Sequence, residues 1–88
     1  MLRPVAKSTT EITRVPYGIC TITVQANGGV CDVYMLHEYV DGGAGDVWVP
    51  ACPQFTADGA QTLFPGREAT LKIVPAGGAK WSIHGEGF

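Results

Sequence analysis

Charge is scarce in this chain. Asp, Glu, Lys and Arg make up 16% of its 88 residues, against roughly a quarter in an ordinary soluble domain. The six basic residues, Arg3, Lys7, Arg14, Arg67, Lys72 and Lys80, are scattered, and the net charge is −2. Neutralising a phosphate backbone takes a clustered basic face, so this pattern argues against nucleic acid as a partner. Disorder is excluded from the other side, because 45% of the residues are hydrophobic and disorder needs low hydrophobicity with high net charge. Long apolar runs are also missing. No segment approaches the ~20 residues of a membrane-spanning helix, and the amino terminus lacks the apolar run of a secretory leader. The expectation is a protein made in a reducing cytoplasm, with no membrane partner. Cysteine is sparse and odd in number: Cys20, Cys31 and Cys52. An odd count leaves one thiol over in a disulfide scaffold, so the three read as small, free core hydrophobes.

The chemistry of catalysis is thin as well. The serines are Ser8 and Ser82, and neither lies in a G-x-S-x-G turn. The cysteines sit in strand-like segments or beside prolines, away from any helix amino terminus that would lower a thiol pKa. Asp32, Glu38, Asp41, Asp46, Asp58, Glu68 and Glu86 are dispersed, whereas acid–base pairs need two carboxyls in one cleft. Gly42-Gly43-Ala44-Gly45 has no Lys-Ser/Thr after it, as a phosphate loop requires. His37-Glu38-Tyr39-Val40-Asp41 superficially matches a zincin motif, but its fifth residue is Asp and the segment reads as a strand. A strand lacks the i, i+4 helical geometry that chelates zinc. His37 and His84 meeting across strands is the remaining metal option, and it is the weaker reading of both. We therefore expect no enzyme, no cofactor and no metal.

What the chain has in quantity is punctuation. Twelve glycines and six prolines break it into short alternating runs, the signature of strands and tight turns. Cys20 to Ala26 alternates, with Cys20, Ile22, Val24 and Ala26 on one face and threonines on the other. After Asn27-Gly28-Gly29, Val30 to Tyr39 alternates again, with Cys31, Val33 and Met35 on one face. A two-residue turn, at Asn27-Gly28 or Gly28-Gly29, reads as joining the two runs in a hairpin. Val40 to Asp46 reads as a loop. Val47 to Pro50 reads as a short strand confined to an edge by its proline, and Gln61 to Phe64 as another, ended by a type II turn at Pro65-Gly66. Ala69 to Val74 turns Leu71 and Ile73 inward. After a turn at residues 75–79, Lys80 to His84 turns Trp81 and Ile83 inward. Six to eight short strands make a small antiparallel β-sandwich or barrel, formed by residues 11–88 behind a polar arm at 1–10.

Contact residues follow from what this pattern leaves over. A chain this short buries only roughly 60–65% of its unfolded surface, and domains of that size commonly lean on a partner. Tyr34 and Leu36 lie on the second face of their strand, between Asp32 and Glu38, so that face is not purely polar. Trp48 points away from Val47 and Val49 and reads as the exposed aromatic. Candidate protein contacts are therefore Tyr34, Leu36 and Trp48, with Arg3 and Val5 from the arm. Trp48 with Trp81, Tyr17, Tyr34 and Tyr39 also raises a carbohydrate-stacking platform, and the cysteines a thiol- or metal-dependent regulator.

Thr21-Ile22-Thr23-Val24, Asp46-Val47-Trp48-Val49, Phe55-Thr56-Ala57-Asp58-Gly59, Phe64-Pro65-Gly66-Arg67 and Leu71-Lys72-Ile73-Val74 follow one another here. From about Ile22 onward, this order resembles that of small β-sandwich proteins in the virions of tailed bacteriophages. The resemblance covers about three quarters of the chain and involves turn and core chemistry rather than a catalytic motif. It implies a capsid decoration (cement) protein on the capsid exterior, made in the host cytoplasm, that binds the major capsid protein, often as a trimer. A minor head–tail or tail component is the alternative it leaves.

Overall fold

Period-two alternation turns this sequence into strands whose apolar faces must find one another. The computed structural model describes residues 6–15, 18–37 and 46–85. Those residues form seven strands and no helix: β1 (Glu11–Val15), β2 (Cys20–Gln25), β3 (Val30–Leu36), β4 (Trp48–Pro50), β5 (Gly59–Leu63), β6 (Ala69–Ala76) and β7 (Lys80–His84). They make two antiparallel sheets, a four-stranded one ordered β1-β6-β3-β4 and a three-stranded one ordered β5-β2-β7. The fold is all-β as expected, and of the two architectures expected from the sequence, sandwich or barrel, it is the sandwich. Between the sheets lie Val15, Cys20, Ile22, Val24, Cys31, Val33, Leu63, Leu71, Ile73, Ala79 and Trp81, and each fully buried aliphatic among them contributes ~1.5–3 kcal/mol.

The expected β2–β3 hairpin does not form. β2 pairs with β5 and β7, whereas β3 pairs with β6 and β4. Asn27 and Gly28 do take positive φ, at 49° and 82°, and Gly29 N–H donates to Ala26 O at 2.7 Å. The turn chemistry is thus present, but the chain uses it to arch from one sheet to the other. Cys20, Ile22 and Val24 face Cys31 and Val33 across the core instead of lying beside them. The turn at residues 76–79 makes the same crossing from β6 to β7, with Gly77 and Gly78 at φ 67° and 94°. The two arches lie against each other: a Cβ on Gly29 would sit 2.0 Å from Ala76 O, and Asn27 Nδ2 donates to Gly78 O at 3.2 Å.

β1 belongs to no strand read from the sequence. It pairs along β6 from Glu11 opposite Ile73 to Val15 opposite Ala69. Ahead of it, Lys7 exchanges backbone hydrogen bonds with Trp81 at 2.8 and 2.9 Å, and Trp81 Nε1–H donates to Thr9 O at 3.0 Å. Part of the segment read as an arm is therefore fastened to β7. Cys20 and Cys31 are free and buried, as expected of core thiols, and Cys52 is free and half-buried.

Candidate functional site: the outer face of the four-stranded sheet

The two outer faces of the sandwich differ in kind. On the three-stranded sheet the outward residues are hydroxyl-bearing and bonded to one another. Thr21 meets Thr62 at 2.9 Å, Thr23 meets Ser82 at 2.6 Å, and Ser82 meets His84 Nε2 at 3.2 Å. Cross-strand hydroxyl pairs of this kind suit a face that meets water. Ser82 and His84 are neighbours here, but Thr23 shares the Ser82 hydroxyl and the pair lies on open sheet surface.

On the four-stranded sheet the inward residues are Val15, Ala69, Leu71, Ile73, Cys31 and Val33. Alternation then sends Ile12 and Arg14 of β1, Thr70, Lys72 and Val74 of β6, Asp32, Tyr34 and Leu36 of β3, and Trp48 and Pro50 of β4 to the outside. Register sets them side by side: Ile12 opposite Lys72, Lys72 opposite Tyr34, Tyr34 opposite Pro50 and Leu36 opposite Trp48. Three of the five expected contact residues, Tyr34, Leu36 and Trp48, are thereby gathered on one face. The other two, Arg3 and Val5, lie outside the described residues, as do Tyr17, Tyr39 and Asp41.

Lys72 stands at the centre of this face. Its Nζ lies 4.8 Å from the Trp48 ring centroid and 5.8 Å from that of Tyr34, within the range of cation–π attraction. Its charge faces aromatic rings, while the ion pairs of the described residues lie elsewhere: Lys7–Glu11 at 3.0 Å and Arg14–Glu68 at 2.9 Å. Arg14 and Asp32 stand nearer the margins, the latter accepting from Gln54 Nε2 at 3.3 Å. Trp48 points away from Val49, as its alternation requires, but it is half-buried. The more exposed side chains nearby are Val47 at 42% and Val49 at 38%. Ile12, 61% exposed, and Lys72 are members of this face that strand-by-strand reading misses, because only register brings β1 and β6 beside β3.

Burial also acts on the three thiols. Burial first, then the neighbouring charges of Asp32 and Cys52, pushes the Cys31 thiol up to about 11, and burial raises Cys20 and Cys52 as well. A protonated thiol is a poor nucleophile and metal ligand. No group of three or more His, Cys, Asp or Glu is placed to hold a metal ion among the described residues. His37 follows β3 of the four-stranded sheet, whereas His84 ends β7 of the three-stranded one.

Comparison with known proteins finds no matching family model, no matching curated protein and no matching solved structure.

Proposed function

We propose that this chain is a non-catalytic docking domain that works by laying the outer face of its four-stranded sheet on another protein. One observation carries this reading. Ile12, Tyr34, Leu36, Trp48 and Pro50 lie on one face away from the core, bridged by Lys72 at its centre, with Arg14 and Asp32 nearer its margins. Protein interfaces share that anatomy, an aromatic-rich centre inside a polar rim.

The finer proposal is a capsid decoration protein that clamps major-capsid-protein subunits on the exterior of a tailed-phage head. What supports it is the order of strands and turns that resembles such proteins, together with the low charge of the chain. The test is co-sedimentation of the purified chain with expanded capsids, for the native sequence and for Leu36→Asp and Lys72→Glu. Binding that both variants weaken supports the reading. No binding by the native chain removes the virion proposal, and binding indifferent to both variants removes this face from it.

A second reading has an observation of its own. Trp48 and Tyr34 share one face, as a sugar-stacking platform needs. Quenching of tryptophan fluorescence by soluble oligosaccharides, lost in Trp48→Ala, would favour a carbohydrate-binding module over a protein-docking one.

A further inference from the structure

Four strand edges bound the two sheets: β1 and β4 in one, β5 and β7 in the other. An open edge is a template for another strand, and proteins guard edges with charge, proline, shortness or a covering segment. Three of these edges are guarded. β4 is three residues long and ends in Pro50. β1 carries Glu11 and Arg14. β7 starts at Lys80, and Lys7 bridges its Trp81 backbone from the side away from β2. Among the described residues, β5 has none of these devices. Gly59-Ala60-Gln61-Thr62-Leu63 contains no charge and no proline, pairs with β2 alone, and runs on into Phe64, which is 73% exposed.

The direction of the β5 backbone groups follows from the register. Trp81 N–H and C=O are taken by Lys7, so Trp81 and Val24 form a non-hydrogen-bonded pair and Val24 turns its own groups toward β5. Alternation then makes Val24–Gly59, Ile22–Gln61 and Cys20–Leu63 the hydrogen-bonded pairs of β2 with β5. Ala60 and Thr62 are left with N–H and C=O aimed at the open edge. Gln61 Nε2 donates to Thr62 O at 3.2 Å, a contact that the side chain of an edge residue makes with its own chain.

We propose that β5 pairs with β5 of a second copy of this chain, antiparallel about a two-fold axis at Gln61, joining the two three-stranded sheets into one of six strands. In this register Ala60 of each copy exchanges both backbone hydrogen bonds with Thr62 of the other, so every edge-facing group of those four residues is paired. Gln61 meets its own copy in the non-hydrogen-bonded position, where side chains approach most closely. Small residues meet large ones: Gly59 lies opposite Leu63, and Phe64 lies diagonal to Ala60. No like charges are opposed, so the strand is complementary to itself. The inference is independent of the docking face on the other sheet. A two-fold pairing gives dimers, where the phage resemblance implies trimers.

The experiment is sedimentation equilibrium of the full chain from about 1 to 500 μM. The native chain should approach twice its 9.3 kDa mass. Gln61→Lys and Gln61→Glu each place two like charges in direct opposition, and each alone should weaken the dimer by up to about fivefold. Mixed one to one, the two variants should recover a heterodimer. Amide exchange at Ala60 and Thr62 in the native chain should slow as concentration rises, which tests the pairing even if a variant fails to fold. A native chain monomeric throughout, a trimer, a dimer indifferent to Gln61→Lys, or exchange independent of concentration would overturn the proposal.

Discussion

At the scale of single residues, burial decides what the side chains do. Cys31 is fully buried on β3, and its thiol is pushed up to about 11 by burial, by Asp32 and by Cys52, from an ordinary value of 9.0. The consequence for stability has a definite sign. Below about pH 9 the thiol is protonated in both the folded and the unfolded chain, and the stabilising contribution is fully present. Between pH 9 and 11 the unfolded chain releases its proton while the folded one keeps it, so stability falls with rising pH, by at most ~1.4 kcal/mol per unit for such a group. Cys20 and Cys52 shift in the same direction. Urea unfolding at a series of pH values should therefore show a decline that begins near pH 9, and the Cys31→Ala chain, though less stable, should show a shallower one. An equal slope in the two proteins would mean that Cys31 is not the group responsible. Lys72 shows burial acting by another route. Among the described residues, its Nζ lies over the rings of Trp48 and Tyr34.

At the scale of elements, the two arches decide the topology. Gly28 and Gly29 are adjacent in sequence but constrained differently. A Cβ on Gly28 would meet open space, although its φ of 82° disfavours any L side chain. A Cβ on Gly29 would lie 2.0 Å from Ala76 O and 2.7 Å from the Gly77 carbonyl carbon, both backbone atoms of the neighbouring arch. Gly28→Ala should therefore cost about 1 kcal/mol of backbone strain. Gly29→Ala has to move one arch off the other and should cost more than ~2 kcal/mol. Chemical denaturation of the two variants checks the order, and equal losses would show that the arches do not pack through Gly29. The same arches mark where sequence reading stops. Alternation in Cys20–Gln25 and Val30–Leu36 correctly sorts inward from outward residues, because period two is a local property. It says nothing about which strand lies alongside, and a turn with two positive φ angles serves a hairpin or an arch alike. β1 escapes notice for a related reason: Glu11 and Thr13 share the inward side of the strand with Val15, while Ile12 points out. Trp48 was legible as outward-facing, but its half-burial beside Lys72 depends on a register that no single segment contains.

At the scale of the whole molecule, the closing of β7 by the amino-terminal segment and its proposed contact with a partner can be tested separately. Lys7 closes the outer side of β7 with two backbone hydrogen bonds, and Thr9 receives the indole N–H of Trp81, the largest of the fully buried side chains. Residues 1–5, which include the candidate contacts Arg3 and Val5, lie outside the described residues. A deletion of residues 2–9 removes the Lys7 bridge and leaves the Trp81 indole without its acceptor. Hydrogen bonds are worth ~0.5–1.5 kcal/mol each, and an unsatisfied buried donor costs about 1–3 kcal/mol, so this deletion should lose roughly 2–6 kcal/mol. In a domain of this size, each kcal/mol lowers Tm by roughly 4–8 °C. A deletion of residues 2–5 leaves Lys7 and Thr9 in place and should change Tm by no more than a few degrees. If Arg3 and Val5 contact a partner, that shorter deletion still weakens binding to expanded capsids, so binding and stability part company between the two truncations. A chain lacking residues 2–5 that melts and binds as the native one does would confine the segment's role to closing β7.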